Sequence, residues 1–202
     1  MALLDWMAAD QALVLEGEGV RLRPPRMSDY PQWAALRDQS RDFLQPWEPA
    51  WPADDLTRPA FRRRLAAYTR DIETGQGYPF FMTRPDDEAL LGGITLSNVR
   101  RGVAQAATMG YWIGEPYARS GFTLRGVRAV CQFAFSKLRL HRVEAACLPS
   151  NVPSRDLLLK AGFSLEGKAR AYLKINGAWR DHLLFGLTED GSGWGDEQTS
   201  GD

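Results

Sequence analysis

The residues with the clearest chemical potential lie in one stretch, 108–163, which reads as strand, loop, helix, strand and short helix. A strand over 108–114 leads into a loop that contains Gly121, and an amphipathic helix follows from Phe122. The first turn of a helix leaves backbone N–H groups unpaired, and the helix dipole adds partial positive charge there. Such a junction can bind an anion, above all a phosphate group. The alternative is an ordinary strand–helix crossover, and the loop alone does not separate the two.

Other kinds of catalytic centre are not indicated. Asp181 and His182 are adjacent on a predicted strand and so point to opposite faces, and no Gly-x-Ser-x-Gly motif accompanies them. The two histidines and the two cysteines, Cys131 and Cys147, do not approach the spacing of a metal site, so we expect no metal. The loop at Gly121 lacks the Gly-Lys-Ser/Thr sequence of a nucleotide P-loop.

The composition is typical of one soluble globular domain. Of the 202 residues 44% are hydrophobic and 25% are charged, which is enough apolar material for a real core. Lysine plus arginine equals aspartate plus glutamate at 25 each, so the overall charge gives no reason to expect nucleic-acid binding. No basic signal-like start is present, and no apolar run approaches the roughly 20 residues that span a bilayer. Two cysteines suit a reducing compartment. We therefore expect a cytoplasmic protein that does not bind membranes.

Hydrophobic periodicity predicts the elements that must position the junction. Residues Phe61, Leu65 and Tyr68 recur at helical spacing, and Asn176-Gly177 is a strong hairpin signal. This order of elements indicates a mixed α/β sheet with helices on both faces. Strands are predicted at 20–23, 78–83, 89–99, 108–114, 141–148, 169–175 and 179–187, and helices at 28–38, 57–73, 122–138 and from 154 onward.

One loop and two terminal segments stand apart from these elements. The loop 43–52 contains three prolines and the tryptophans Trp47 and Trp51, so we expect it to be stiff and aromatic. Residues 1–17 are assigned to an N-terminal extension and 18–188 to the domain. The tail, 189–202, is rich in Gly, Ser and acidic residues and is expected to be disordered.

The order of the elements and several short segments resemble the GNAT superfamily of acyl-CoA-dependent N-acetyltransferases. Within it, they resemble the RimJ/RimL ribosomal-protein alanine N-acetyltransferases over about residues 18–188. The Pro-Trp-Glu-Pro loop and a later Trp-Arg-Asp-His segment place the sequence closer to RimJ. The resemblance implies the GNAT fold, with a central, mostly antiparallel sheet flanked by helices. The segments are FLQPWEP (43–49), SNVRRG (97–102), GYWIG (110–114), HRVE (141–144), PSNVPS (149–154), GFSLEG (162–167) and WRDH (179–182).

The resemblance also implies acetyl-CoA as the co-substrate. The backbone at the end of the strand over 108–114 would pair with pantetheine, the N–H groups of the following loop would hold the pyrophosphate, and Asn151 would contact pantetheine. The loop departs from the family pattern at Ala118, Arg119 and Thr123, whereas Gly121 matches it. The implied cofactor-binding residues are Trp112, Ile113, Gly114, Arg119, Ser120, Gly121, Phe122, Thr123 and Asn151.

Two residues are candidates for catalysis. Ser154 matches the serine placed near the coenzyme sulfur in this branch, where its hydroxyl can donate to the leaving thiolate; simple capping of the short helix is the alternative. Glu48, in the aromatic loop expected to wall the acceptor site, is the candidate base, and a solvated or salt-bridged loop residue is the alternative. Acceptor contacts are predicted for Trp47, Trp51, Tyr111 and Tyr172, with core packing as the alternative.

The chemistry of the amine favours one acceptor class. An α-amino group has a pKa of roughly 7.7–8, against ~10.4 for lysine, so a protein N-terminus requires only a mild base. We therefore predict acetyl transfer to the N-terminal α-amine of a protein, of the ribosomal-protein alanine type. Two alternatives stay open: transfer to a small amine, and a non-catalytic acyl-CoA-binding or regulatory module, which the altered loop 118–126 suggests. Either a monomer or a homodimer is compatible with the sequence.

Overall fold

One mixed sheet organises the computed structural model, which describes residues 13–191. Its strands are β1 (Leu15–Gly17), β2 (Val20–Arg23), β3 (Tyr78–Thr83), β4 (Leu90–Arg100), β5 (Ala106–Ile113), β6 (Arg142–Cys147), β7 (Ser164–Ile175) and β8 (Ala178–Thr188). Their order in the sheet is β1-β2-β3-β4-β5-β6-β8-β7. β5 and β6 are parallel, and the other neighbouring pairs are antiparallel. The predicted mixed, mostly antiparallel sheet is confirmed.

Helices cover both faces of this sheet. They are α1 (Tyr30–Gln39), α2 (Arg41–Leu44), α3 (Arg58–Glu73), α4 (Phe122–Ser136) and α5 (Val152–Lys160), with 3-10 turns at Met27–Asp29, Gln45–Trp47 and Glu115–Tyr117. α4 and α5 pack on one face, and α1 and α3 pack on the other. None of the helices in the described residues is both long and apolar enough to cross a membrane.

The larger core lies between the sheet and α4. Val127, Val130 and Ala134 recur on one side of the helix and are fully buried. Burial of a valine side chain stabilises the fold by roughly 1.5–3 kcal/mol, so this stripe is sufficient to hold the helix on the sheet. The packing fixes the position of the first turn of α4, which faces the loop that contains Gly121.

A smaller aromatic core lies on the opposite face. The rings of Trp33 and Phe61 have centroids 4.7 Å apart, and those of Phe61 and Phe81 are 6.3 Å apart. Trp112 of β5 packs edge-on against Phe81. Gly93 leaves room for this indole, because a β-carbon there would lie 2.6 Å from Nε1 of Trp112. Aromatic side chains thus extend along this face as far as β5.

Three parts of the fold were not expected from the sequence. β1 lies within 1–17, which we assigned to an N-terminal extension, and it pairs with β2 as the edge of the sheet. α2 is a helix of four residues just before the aromatic loop. β7 begins at Ser164 rather than at 169. Residues 1–12 and 192–202, which hold most of the predicted tail, lie outside the described residues.

Candidate active site

The parallel strands β5 and β6 separate part-way along their length. Their last paired residues are Met109 and Ala145. β5 nevertheless continues to Ile113 and β6 continues to Cys147. A gap therefore opens between the carboxyl ends of the two strands, which is where open sheets with parallel strands commonly bind ligands.

The edge of β5 that borders this gap has free backbone groups. Gly114 donates its N–H to the carbonyl of Leu91 at 2.8 Å, so Gly114 and its alternate neighbour Trp112 face β4. The intervening residues, Tyr111 and Ile113, consequently present their N–H and C=O groups to the gap. Of the three residues predicted to pair with pantetheine, only Ile113 has its backbone directed this way.

The loop before α4 presents a row of N–H groups. Arg119 and Gly121 have φ angles of +61° and +79°, a left-handed conformation that glycine adopts without the steric cost of a β-carbon. Across the described residues, the N–H groups of 119–123 have no hydrogen-bond acceptor. Because α4 begins at Phe122, these groups share the positive end of its dipole. The loop has the geometry of an anion site.

The side chains of this loop leave its outer surface open. Arg119 and Ser120 are exposed, and Phe122 is half-buried beneath the guanidinium of Arg125, 4.9 Å from the ring centroid. Thr123 replaces the glycine or alanine of the family pattern, but it is only 8% exposed. Its additional bulk therefore packs against the protein and does not stand in front of the N–H groups.

Two hydroxyl groups meet on the α5 side of the gap. Tyr111 Oη and Ser154 Oγ are 2.7 Å apart, and either of them can donate the hydrogen bond. Burial raises the pKa of the Tyr111 phenol, so the phenol stays protonated and remains a donor. A contact of Tyr111 with the acceptor stays a prediction; the structure places its hydroxyl beside Ser154.

Asn151 and Cys147 complete the surroundings of Ser154. Asn151 Oδ1 accepts the N–H of Ser154 at 3.2 Å and caps α5, whereas its amide NH2 has no partner among the described residues. Burial raises the pKa of the Cys147 thiol, and a hydrogen bond with Ser154 opposes this in part. The thiol therefore stays neutral. Strand alternation had indicated only a core position for Cys147, and nothing in the sequence pointed to a place next to Ser154.

On the other side of the sheet, an ion pair holds the aromatic loop. The oxygens Oε1 and Oε2 of Glu48 accept hydrogen bonds from Arg37 at 2.8 and 2.7 Å, and Trp51 Nε1 donates to Oε2 at 2.7 Å. The Arg37 guanidinium lies 4.2 Å from the centroid of Trp51 and 5.0 Å from that of Trp112. Asn176 donates its N–H to the carbonyl of Glu48 at 2.9 Å. The carboxylate is thus salt-bridged, and its role as a base stays a prediction.

A polar groove of about 390 Å³ lies on the same side of the sheet. Thr108 and Glu144 line it, and they alternate along their strands with Met109 and Val143, which are buried beneath α4. The groove therefore opens on the face that carries α1 and α3. Its lining residues are Gln76, Asn98, Val99, Arg100, Thr108, Glu144 and Tyr172.

Most polar side chains that line this groove have no hydrogen-bond partner among the described residues. Arg100 and Glu144 form an ion pair. In the part of the chain that the structure describes, no hydrogen bond engages the side chains of Gln76, Asn98 or Thr108. Asn98 has a φ of +50°, at a register shift in β4 that displaces its side chain from the regular pleat. Glu144 also accepts a hydrogen bond from Arg142 at 3.0 Å, so the groove offers neutral donors and acceptors beside a small network of ion pairs.

The predicted site residues therefore fall into two groups. The backbone of Ile113, the loop 119–123, Asn151, Tyr111 and Ser154 surround the gap on the side of α4 and α5. The candidate base Glu48 and the remaining acceptor candidates lie on the opposite face: Trp51 donates a hydrogen bond to Glu48, Trp47 is half-buried in the same loop, and Tyr172 lies in the groove. No group of three or more His, Cys, Asp or Glu side chains within residues 13–191 is placed to hold a metal ion.

The family follows from comparison with known proteins. A family model described as an acetyltransferase (GNAT) domain matches residues 20–164, which include the gap, the loop and Ser154. The chain belongs to the GNAT acetyltransferase family. The fold implied by the sequence resemblance and the assignment as an acetyltransferase are both confirmed.

The relatives of this GNAT enzyme include ribosomal-protein acetyltransferases. It is 33% identical to the Bacillus subtilis (strain 168) protein called Probable N-acetyltransferase YjcK, over 86% of this chain and 96% of that protein. It is 34% identical to the Escherichia coli (strain K12) ribosomal protein uS5-alanine N-acetyltransferase, over 74% of this chain and 77% of that enzyme. Mycobacterium smegmatis RimJ in complex with CoA-disulfide has a similar structure, with 31% identity, a TM-score of 0.82 and coverage of 88% of this chain and 86% of that one.

Sequence reasoning missed two residues on the face of this GNAT domain that carries the aromatic loop and the groove, Arg37 and Asn98. Arg37 sits on a polar helix, where an arginine normally indicates a solvated position, yet it is 6% exposed. Its burial depends on Trp51 and Trp112, which no local pattern connects to it. Asn98 did carry a signal, because an asparagine inside a strand tolerates left-handed backbone and can mark a bulge.

Proposed function

We propose that this GNAT enzyme transfers the acetyl group of acetyl-CoA to the N-terminal α-amine of a protein, of the ribosomal-protein alanine type. The observation that carries the proposal is the gap between β5 and β6. A hydroxyl pair lies beside the gap, and on the opposite face of the sheet a polar groove lies over the neighbouring residues where the two strands are still paired. The relatives support it, since one is named for uS5 alanine acetylation and another was solved with CoA-disulfide.

The residues around the gap fit the chemical groups of acetyl-CoA. A pyrophosphate requires several N–H donors and positive potential, which the loop 119–123 and the start of α4 provide. The pantetheine arm carries amides, and the free backbone groups of Tyr111 and Ile113 and the side-chain NH2 of Asn151 can bond to them. Acetyl-CoA supplies the thioester, and the protein supplies its orientation.

The hydroxyl pair suits the departure of the thiolate. The amine nitrogen attacks the carbonyl carbon, the C–S bond breaks, the nitrogen loses one proton and the sulfur gains one. Ser154 lies at the first turn of α5 and can donate its hydroxyl proton toward a sulfur in the gap. Tyr111 can donate to Ser154 Oγ at 2.7 Å, which leaves the serine proton free for the thiolate.

The groove suits the acceptor. At Gly110, on the groove face of β5, a β-carbon would meet no atom within 4 Å, so the space above this residue is open. The free amides of Gln76 and Asn98 and the hydroxyl of Thr108 provide both donors and acceptors, which an extended peptide backbone requires. A free small amine would leave these groups unused, so the groove favours a peptide N-terminus.

The pKa of the acceptor limits the basicity that the enzyme must provide. An α-amine with a pKa of about 7.7–8 is about one-tenth neutral or more near pH 7. Deprotonation therefore costs little, and a water molecule or a weakly basic side chain suffices. In the proposed mechanism, kcat/KM for the peptide rises with pH through the α-amine pKa and then levels off.

Steady-state kinetics with acetyl-CoA and alanine-starting peptides tests the proposal. We expect release of the CoA thiol with acetylation of the α-amine, identified by mass spectrometry. A tetrapeptide should exceed alanine amide in kcat/KM by about tenfold, which corresponds to ~1.4 kcal/mol of additional binding in the groove. The same peptide with a blocked α-amine is the control. Preference for free amino acids, amino sugars or polyamines would contradict the peptide acceptor, and acetyl-CoA binding without turnover would favour a non-catalytic module.

A further inference from the structure

Among the described residues, the buried guanidinium of Arg37 donates hydrogen bonds only to Glu48. The side chains of Arg37 and Glu48 are only 7% and 20% exposed. Two parallel N–H···O bonds of the planar guanidinium satisfy the fork geometry that makes arginine–carboxylate pairs specific. The remaining buried donor, Nε of Arg37, has no partner. Loss of Glu48 would therefore leave an uncompensated positive charge inside the protein.

The same pair joins four elements on this face of the sheet. Arg37 comes from α1, and its guanidinium lies near the rings of Trp51 in the aromatic loop and Trp112 in β5. The indole N–H of Trp51 also donates to Glu48. The backbone carbonyl of Glu48 accepts the N–H of Asn176 in the turn between β7 and β8. Helix, loop, strand and turn thus meet at the Arg37–Glu48 pair.

These contacts differ from those of a general base. A base must present a free carboxylate oxygen to the amine or to a water molecule, within hydrogen-bond reach. The Oε2 atom of Glu48 already accepts two hydrogen bonds, and Oε1 accepts one from a buried cation. The carboxylate is therefore used to hold neighbouring groups in place.

We propose that Glu48 is a positioning residue. Together with Arg37 and Trp51 it forms a latch that fixes the aromatic loop against the β7–β8 turn and so shapes the wall that receives the acceptor peptide. This inference rests on the proposed function, because the latch acts on peptide binding and not on the thioester. Release of the latch lets the loop move and weakens peptide binding, while the groups around the gap keep their places.

Kinetics of Glu48→Gln and Arg37→Met test the proposal against the base role. We expect both variants to raise the KM for an alanine-starting peptide by about threefold to tenfold. The KM for acetyl-CoA, and the shape of the dependence of kcat on pH, should stay unchanged. The double variant should be no worse than the poorer single variant, because the two residues act as one unit.

Arg64→Met is the matched control. Arg64 also pairs with a carboxylate, that of Asp55, and lies 5.2 Å from the centroid of Trp33, but it has no contact with the aromatic loop among the described residues. Its removal should lower stability without a change in the peptide KM. A fall in kcat of about 10²–10⁴ in Glu48→Gln alone, with loss of the pH dependence, would make Glu48 the base and overturn the latch. An unchanged peptide KM in both latch variants would also overturn it.

Hydrogen exchange provides a readout that requires no acceptor. The double variant Arg37→Met, Glu48→Met replaces the buried ion pair by apolar side chains and leaves no unpaired buried charge. In this variant we expect the N–H of Asn176 to exchange faster than in the wild type. Equal exchange at Asn176 would contradict the latch. If the wild type fails to acetylate any peptide, the proposed function fails, while this measurement still decides whether the latch exists.

Discussion

At the scale of single residues, the proposed mechanism depends most directly on the hydrogen bond between Tyr111 and Ser154. Tyr111→Phe removes the phenol and keeps the ring, so Ser154 loses its partner at 2.7 Å. One such bond contributes ~0.5–1.5 kcal/mol, and we expect kcat to fall about threefold to tenfold with little change in either KM. Tyr68→Phe, at a half-buried position of α3 far along the chain from the gap, is the control. Wild-type kcat in Tyr111→Phe would contradict the arrangement.

Asn98 permits a test of the groove. Asn98→Gly removes the amide and keeps the backbone free to adopt a φ of +50°. We expect kcat/KM for a tetrapeptide to fall about threefold to tenfold, because one or two hydrogen bonds to the peptide are lost. The value for alanine amide should not change, since this acceptor does not reach the groove. An equal loss for both acceptors would show that Asn98 acts elsewhere.

Residues could be predicted from the sequence where the chemistry depends on a local motif. Ser154 and Asn151 lie in one short segment at the start of a predicted helix, and the structure shows that Asn151, and not Ser154, caps this helix. Arg37 could not be found in this way. Its partner is eleven positions along the chain and its rings come from two other elements. The burial of Arg37 beside these rings therefore depends on tertiary structure, and no local sequence pattern indicates it.

At the scale of elements, the loop before α4 is the part most sensitive to backbone strain. Gly121→Ala places a β-carbon at a φ of +79°, which costs roughly 1–2 kcal/mol. We expect a lower melting temperature and, because the N–H groups shift, a KM for acetyl-CoA raised by about tenfold. Gly19→Ala is the matched control, with a φ of +67° in open space between β1 and β2. It should lose similar stability and keep the wild-type KM; equal KM values in the two variants would contradict a ligand role for the loop.

Regular periodicity determined which elements the sequence could predict. α3 and α4 have apolar residues at helical spacing, and both lie within two residues of their predicted bounds. β1 has only three residues, too few for a pattern. The first part of β7, from Ser164, is exposed on both faces, so it lacks the alternation of buried and exposed residues that predicts a strand.

At the scale of the whole molecule, the site depends on the topology of the sheet. β8 lies between β6 and β7, and β6 pairs with β5 only as far as Ala145. The gap exists because β8 continues to pair with β6 up to Cys147 while β5 diverges. The sequence could indicate a mixed sheet, but the point of separation depends on packing of side chains from both faces. The candidate active site therefore depends on tertiary packing, because it forms where the pairing of β5 with β6 ends before the strands themselves do.

Buried thiols link the stability of the whole fold to alkaline pH. Burial raises the pKa of Cys131, which lies on the fully buried side of α4, above the ordinary value of about 8.5 that it regains on unfolding. Because the folded pKa is the higher one, the stabilisation is complete below about pH 8.5 and is lost as the pH rises. The slope is about 1.4 kcal/mol per pH unit for this group.

Cys131→Ala removes the titrating group and leaves a small cavity. We expect the variant to be less stable than the wild type near neutral pH, by about 1 kcal/mol. Between about pH 9 and 10, however, its free energy of unfolding should decline less steeply than that of the wild type, because only the wild type has the Cys131 thiol, which keeps its proton in the folded state and loses it on unfolding. Urea denaturation at a series of pH values measures both curves. The lysines and tyrosines titrate in both proteins, so the difference between the two curves reports the ionisation of Cys131 alone. Parallel curves would contradict the prediction, because they would show that the Cys131 thiol ionises equally well in the folded protein.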